Sequence, residues 1–301
     1  MASPSRVWFI TGSSSGLGRN LLETVLAAGE RAVATLRKPE VLKELQAKYP
    51  ADQLLVTRLD VTKPDEVVAA FNAAKEHFGL VSVVVNNAGF GLLSEIEGTP
   101  EKDAREQFDV NFWGSVYVTK EAIRFFREDN PNGAGGRFIN ISTVGGYSAN
   151  QCLAFYSAAK FAIEGFTESA IKEVLPEWNI QGCIIEPGGF DTEWRGGSMT
   201  ILPSHPAYAS PTSPSSQVRT MLETIPFNGD VSKASKTIMQ VASLPKMPLR
   251  LPLNTEAYCL VKMKANMTLA QLEEFAELSH STNKDGIERE KVMEILGMVN
   301  H

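Results

Sequence analysis

The feature that most limits what this chain can fold into is an alternation. Over the first two thirds, short apolar runs alternate with stretches of helical period. Segments 6–10, 31–36, 54–59, 81–85, 136–141 and 180–185 read as strands. Between them, 20–28, 40–48, 64–78, 100–129 and 155–175 read as helices, with Gly29 suited to stop the first and Pro64 placed in the opening turn of the third. Valines at 81, 83, 84 and 85 make the fourth strand the kind that is covered on both faces. Strand–helix alternation of this kind predicts an α/β fold: a doubly wound parallel sheet with right-handed crossovers and helices on both faces. Ligands in such sheets sit at the carboxyl ends of the strands. After Pro187 the composition changes. Residues 196–216 are rich in Gly, Pro and Ser and read as a mobile loop, and helices are expected near 268–278 and 287–296. No linker separates this tail, so a single domain over 1–301 is expected. Its core covers about 6–192, and a substrate loop and helical C-terminal extension cover about 193–301.

Composition serves mainly to exclude. The formal net charge of -6 disfavours a nucleic-acid surface, which needs clustered positive charge. Three cysteines, 152, 183 and 259, form no CxxC pair and make a disulfide framework improbable. The four histidines are scattered, so no metal site is expected. No apolar stretch approaches the ~20 residues of a membrane span. A soluble, cytoplasmic protein is the expectation.

Between the first strand and the first helix lies Thr11-Gly12-Ser13-Ser14-Ser15-Gly16-Leu17-Gly18. Glycines permit positive φ and close backbone approach, and a helix N-terminus offers free N–H groups to a pyrophosphate. The spacing Gly-x-x-x-Gly-x-Gly is not the GxGxxG fingerprint. Taken alone it reads either as a phosphate cradle or as a Gly/Ser-rich turn. Three more motifs follow in order: Asn86-Asn87-Ala88-Gly89, Tyr156-Ser157-Ala158-Ala159-Lys160 and Pro187-Gly188. Together the four motifs resemble those of the short-chain dehydrogenase/reductase family, over roughly residues 6–192. The resemblance implies a Rossmann-type fold and a cofactor site. That site would contain Gly12, Ser14, Ser15, Gly16, Leu17 and Gly18 from the turn. Asp60, Val61, Asn87, Ala88 and Gly89 would join them from the next strand ends, with Pro187, Gly188 and Thr192 further along.

Tyr156 and Lys160 are four residues apart and project from one helix face. A free phenol, with a pKa near 10, is a poor base, and a neighbouring ammonium stabilises its phenolate. Out of context the pair reads equally as a core tyrosine and a surface lysine. By resemblance, Tyr156 is the general acid/base, Lys160 holds the nicotinamide ribose and lowers the tyrosine pKa, and Asn111 anchors a water in the proton relay. The family's serine, thirteen residues before the tyrosine, is replaced by Thr143, with Ser142 before it. Thr143 still offers a hydroxyl, with a stiffer χ1. It takes the serine's role in this reading, with Ser142 in reserve. Successive strand side chains point to opposite sides, which turns Ser142 away.

The second strand ends in Leu36 and is followed by Arg37-Lys38, without the acid that would hold the ribose hydroxyls of NAD. The pattern resembles NADP-preferring members, in which an Arg at this place meets the 2′-phosphate. Two solvated surface cations are the alternative. The reading is an NADP(H)-dependent carbonyl reductase acting on a small-molecule ketone, aldehyde or alcohol. Its rivals are an NAD-dependent alcohol dehydrogenase and a non-catalytic NADP-binding sensor. Val144, Phe155 and 189–194 are expected to wall the substrate pocket, and Ile185 to meet the nicotinamide. Phe190, Trp194, Met199 and Tyr208 point either to an apolar substrate or to plain packing under the loop. The helices carrying Asn111 and Tyr156 are apolar enough for a homodimer or tetramer, or for cover within the monomer.

Overall fold

The computed structural model describes residues 5–192, 197–287, 291–292 and 294–295. The first half runs β1 (Val7–Thr11), α1 (Gly16–Ala27), β2 (Arg31–Leu36), α2 (Lys43–Lys48), β3 (Leu54–Arg58), α3 (Pro64–Phe78) and β4 (Val83–Asn86). Then come β5 (Gly91–Leu93), α4 (Glu101–Phe108), α5 (Ser115–Glu128), β6 (Gly136–Ile141), α6 (Ala154–Glu173) and β7 (Ile180–Pro187). The remainder is β8 (Met199–Ile201), α7 (Pro214–Thr224), α8 (Val231–Val241), β9 (Arg250–Leu253), α9 (Thr255–Glu274) and α10 (Ala276–His280).

The main sheet has seven parallel strands in the order β3-β2-β1-β4-β6-β7-β9. Period-two alternation divides each strand between two cores. On β1, Trp8 and Ile10 pack with Leu21, Leu22, Ile238 and Val241 of α1 and α8. Val7 and Phe9 face the other way, onto Phe71 of α3 and Phe125 of α5. Phe9 and Phe71 stack with centroids 4.2 Å apart. Both faces are therefore covered, as the valine-rich fourth strand requires. The chain leaves β1 to one side through β2 and β3, then returns to build β4, β6, β7 and β9 on the other. A crevice opens at the carboxyl ends beside β1 and β4, where that reversal occurs.

Several boundaries differ from expectation. Helix α1 starts at Gly16, four residues early, so Gly16 and Gly18 lie in its first turn. The long helix over 100–129 is continuous but carries a π-helical turn at Asp109–Gly114. Segment 196–216 is not wholly irregular: β8 pairs in parallel with β5, and α7 begins at Pro214. Strand β9 was not expected; it forms the sheet edge, the place where Pro252 is tolerated because one side of the strand needs no partner. The C-terminal helix begins at Thr255 rather than near 268. The tail helix expected near 287–296 lies largely outside the described residues. No described helix is long and apolar enough to cross a membrane.

Candidate active site

The glycine turn is held from behind. Ser13 donates its backbone N–H to Thr35 O (3.1 Å) and its hydroxyl to Ile10 O (2.8 Å). Thr11 Oγ1 accepts the backbone N–H groups of Asn87 (2.9 Å) and Ala88 (3.0 Å). Asn87 Nδ2 donates to Thr11 O (3.0 Å) and Gly12 O (3.2 Å). The β1 and β4 loops are thus one rigid unit. Gly12 has φ +67°, and a Cβ there would sit 2.8 Å from Ala88 Cα. A Cβ on Gly18 would meet Asn87 Nδ2 well inside van der Waals distance and Gly12 O at 2.5 Å. Only glycine fits either place. The signal for Thr11, which sequence reasoning missed, was its position as the last strand residue before the turn.

In front of this unit is a cavity of about 750 Å3. Gly12, Ser14, Ser15, Gly16 and Leu17 line one end, beside the N-terminus of α1. Leu36, Arg37, Asp60 and Val61 line the next stretch, and Asn87, Ala88 and Gly89 the floor. Thr143, Tyr156, Lys160, Pro187, Gly188 and Thr192 complete it. Burial pushes the Asp60 carboxyl up, but hydrogen bonds from Thr62 and the charges of Arg37 and Lys63 hold it below its ordinary value. Arg37 is exposed and joins no ion pair among the described residues. A glycine cradle, a helix N-terminus and a free guanidinium in one cleft fit a dinucleotide.

Tyr156 and Lys160 share one face of α6, and both are buried. Lys160 Nζ donates to Ile141 O (2.8 Å) and lies 6.0 Å from the centre of the Tyr156 ring. Burial pushes the phenol up to about 12, opposed by a hydrogen bond with Thr143. The lowering expected from Lys160 is therefore outweighed: the ammonium donates to Ile141 O, and the Thr143 hydrogen bond is what opposes burial. Burial likewise brings Lys160 down to about 8, with Glu164 pulling it back up.

Thr143 follows β6 and touches Pro187 O (3.3 Å) and the Gly145 N–H (3.3 Å) as well as the phenol. Ser142 is turned the other way, as alternation requires, and donates to Glu164 Oε1 at 2.5 Å. Ser142 lines the cavity too, but its hydroxyl is committed to Glu164, and Thr143 is the hydroxyl bonded to the phenol. Asn111 sits in the π turn, fully buried behind the cavity wall. Its amide accepts from Phe90 N (3.1 Å) and donates to Phe90 O (2.8 Å). Its backbone carbonyl accepts from Ser115 Oγ (3.2 Å).

The Pro187-Gly188-Gly189 turn is locked by residues that sequence reasoning missed. Asn254, at φ +75°, caps α9 through Ala257 N (2.9 Å) and donates to Gly189 O (3.1 Å). Glu256 accepts the Gly189 N–H (3.0 Å). The side chain of Ile185 belongs to the core, and its carbonyl is taken by Ser142 N, so it does not reach the cavity. Phe155 and Tyr208 also lie off the cavity, whereas Val144, Phe190 and Met199 line it. Trp194 lies outside the described residues. Over the phenol, Met199, Val218 and Leu222 pack on Leu93, Leu153 and Tyr156.

The comparisons with known proteins agree with this geometry. The family model described as short chain dehydrogenase matches residues 6–200. An uncharacterized oxidoreductase of Schizosaccharomyces pombe is 38% identical over 289 residues, covering 95% of this chain and 94% of that protein. The oxidoreductase calM of Penicillium decumbens is 39% identical over 285 residues, 92% and 93% of the two chains. A short-chain dehydrogenase structure from Streptomyces avermitilis superposes with a TM-score of 0.85 at 31% identity, over 94% of this chain and all of that one. With its glycine cradle, its Tyr156–Lys160 pair and its seven-stranded sheet, the chain belongs to the short-chain dehydrogenase family of oxidoreductases.

Proposed function

We propose that the chain is an NADPH-dependent reductase that converts an apolar ketone or aldehyde into the alcohol. The observation that carries this reading is that one cavity joins the glycine cradle to the hydrogen-bonded Thr143–Tyr156 pair. When bound, a reduced nicotinamide supplies a hydride to the carbonyl carbon. The chain does the rest. Thr143 orients the carbonyl oxygen by its hydroxyl, and Tyr156 donates the phenolic proton to that oxygen. A phenol pushed up to about 12 is fully protonated at neutral pH, the state reduction needs. Lys160 holds the ribose hydroxyls and supplies positive charge behind the phenol. By resemblance Asn111, whose carbonyl also accepts from Ser115 Oγ (3.2 Å), anchors the water of the proton relay.

The choice of NADPH rests on the end of β2. Leu36 is buried there and Arg37 is exposed at the cleft, and β2 itself ends without the carboxylate that would repel a 2′-phosphate. A relative named NADPH-dependent 3-dehydrocapnine reductase, from Ornithobacterium rhinotracheale, is 32% identical over 62% of this chain. Solved structures that share the fold at 22% and 19% identity hold NADP and NAD respectively, so the fold itself does not choose. The apolar substrate class is supported by Phe90, Val144, Leu153, Met199, Leu222 and Ile225 in the cavity wall. Trp113 and Phe161, on the helical faces assigned to self-association by resemblance, are 46% and 45% exposed, which supports a homo-oligomer.

The test is a paired titration with NADPH and NADH, followed by tryptophan emission, on the native chain and on Arg37→Asp. The native chain is expected to prefer NADPH by at least ~10-fold. Arg37→Asp should lose most of that preference, while NADH binding is unharmed. Equal binding of both by the native chain overturns the cofactor reading. No binding of either overturns the function.

A further inference from the structure

Behind the catalytic face lies a charge cluster that the proposed reaction does not use. Glu164 stands one turn beyond Lys160 on α6, so Tyr156, Lys160 and Glu164 form a row at i, i+4 and i+8. Glu186 is the penultimate residue of β7, just before Pro187, and is entirely buried. Glu164 Oε1 accepts from Ser142, the neighbour of Thr143, and Oε2 accepts from Arg250 Nη1 (2.7 Å). Arg250 opens β9 and gives its other arm to Glu168 (2.9 Å). Its Nη1 is 3.7 Å from Glu186 Oε1. No fixed donor among the described residues hydrogen-bonds either Glu186 oxygen. The group that Glu186 faces is the Glu164 carboxyl. Gly146 leaves the room: a Cβ there would collide with both Glu164 Oε1 and Ser142 Oγ.

The charge balance decides the protonation. Among the described residues, these titratable and charged groups face the pair. They are Lys160 and Glu168 on α6, Arg250 on β9, and Cys183, a neutral thiol pushed up by burial, on β7. Tyr147 lies under the Arg250 guanidinium at 5.9 Å. Arg250 is shared among three carboxylates and Lys160 acts on Glu164, which leaves too little positive charge for two buried ionised carboxylates that face each other. Burial drives both carboxyls up, and Glu164 drives Glu186 further, against Arg250. A single retained proton supplies the donor that Glu186 otherwise lacks.

We propose that Glu164 and Glu186 hold one proton between them and act as a positioning pair for proton transfer at Tyr156. The charge that stays on Glu164 keeps Lys160 an ammonium group. The bonds to Ser142 and Arg250 brace the strand ends that carry Thr143 and Pro187. This assignment of a role rests on the reductase reading above.

Two measurements on the full chain test it. The first is infrared titration of the cofactor-free protein from about pH 5 to about pH 9. A buried protonated-carboxyl band is expected at neutral pH in the native protein, and its loss in Glu186→Gln and in Glu164→Gln, because a lone carboxyl beside Arg250 ionises. The second is the pH profile of alcohol oxidation with NADP, using the alcohol of whichever carbonyl turns over. Its descending alkaline limb reports loss of the Lys160 proton. Glu164→Gln should move that limb down by about one pH unit with the KM for NADP within about twofold, while Glu186→Gln leaves it in place. A merely structural carboxyl would lower stability in both variants and move neither limb. Turnover without the band, or an unmoved limb in Glu164→Gln, overturns the inference alone. A band without turnover of any carbonyl by either cofactor overturns the reductase reading, and the positioning role with it.

Discussion

Replacing Arg219 with methionine tests how the segment over the phenol is held. Glu95 is buried beneath that segment, its side chain 1% exposed. It accepts from Arg219 Nε (3.1 Å) and Nη2 (3.0 Å), from Ser204 Oγ (3.2 Å) and from His205 N (3.2 Å). Arg219 Nη1 also donates to Leu202 O (2.9 Å). Burial opposes the charge on Glu95, yet the Arg219 guanidinium and the His205 N–H win and bring the carboxyl down to about 2. Methionine keeps the aliphatic stem and removes both charged donors. A buried carboxylate that loses its partner costs about 3 kcal/mol or more. The cost falls on the local attachment of 197–224, which is otherwise fastened by the short β5–β8 pairing and the Met199–Val218–Leu222 contacts. About 3 kcal/mol is roughly a hundredfold in an opening equilibrium. Hydrogen exchange should show that increase at the Gly91 amide, bonded to Ser198 O (2.9 Å), and at the Leu202 amide, bonded to Leu93 O (3.0 Å). Amides of β1 and β4 should not change. Because the folded carboxyl is lowered, its contribution is complete above the ordinary carboxylate value and is lost progressively as pH falls from there through about 2. The native attachment should therefore hold throughout the mildly acidic range. Pairing Arg219→Met with Glu95→Met removes the orphaned charge and should recover most of the protection. Unchanged exchange in the single variant, or no recovery in the double, refutes the reasoning.

Two further outcomes are expected. Gly18→Ala drives a methyl group into Asn87 and the Gly12 carbonyl, so it should lower stability by about 1–3 kcal/mol and weaken NADPH binding at least ~10-fold, read by a thermal melt and by emission titration. Tyr156→Phe removes the proton donor alone: carbonyl turnover should fall ~100-fold or more, while NADPH binding stays within severalfold of native.

What was legible in the sequence was local. The period-two split of Val7–Ile10 between two cores, the left-handed Gly29 after α1 and the one-face pairing of Tyr156 with Lys160 all follow from spacing along the chain. So did the opposed directions of Ser142 and Thr143, which decided which hydroxyl meets the phenol. Helix α8 was legible and passed over. Asp230 caps it through Ser232 N and Lys233 N, and Ala234, Ile238 and Val241 share its buried face. The rest was hidden because its cause is remote. Strand β9 carries a proline that only an edge tolerates, and being an edge is a property of the whole sheet. Glu95 and Arg219 are 124 residues apart, and Glu164 and Arg250 are 86 apart, so no periodicity joins them.

Those two remote pairs divide the site between them. Glu95 is satisfied beneath the lid by Arg219, and Glu164 is satisfied behind the helix by Arg250 and Ser142. Each keeps a buried carboxylate near the catalytic face without placing a negative charge at the phenol. The cavity wall then presents apolar groups, Val144, Leu153 and Met199 among them, beside the Thr143–Tyr156 hydroxyl pair. On the reductase reading the hydroxyl pair orients the substrate carbonyl, and a strongly polar group buried against Val144, Leu153 and Met199 would lose its water without gaining a partner from those side chains.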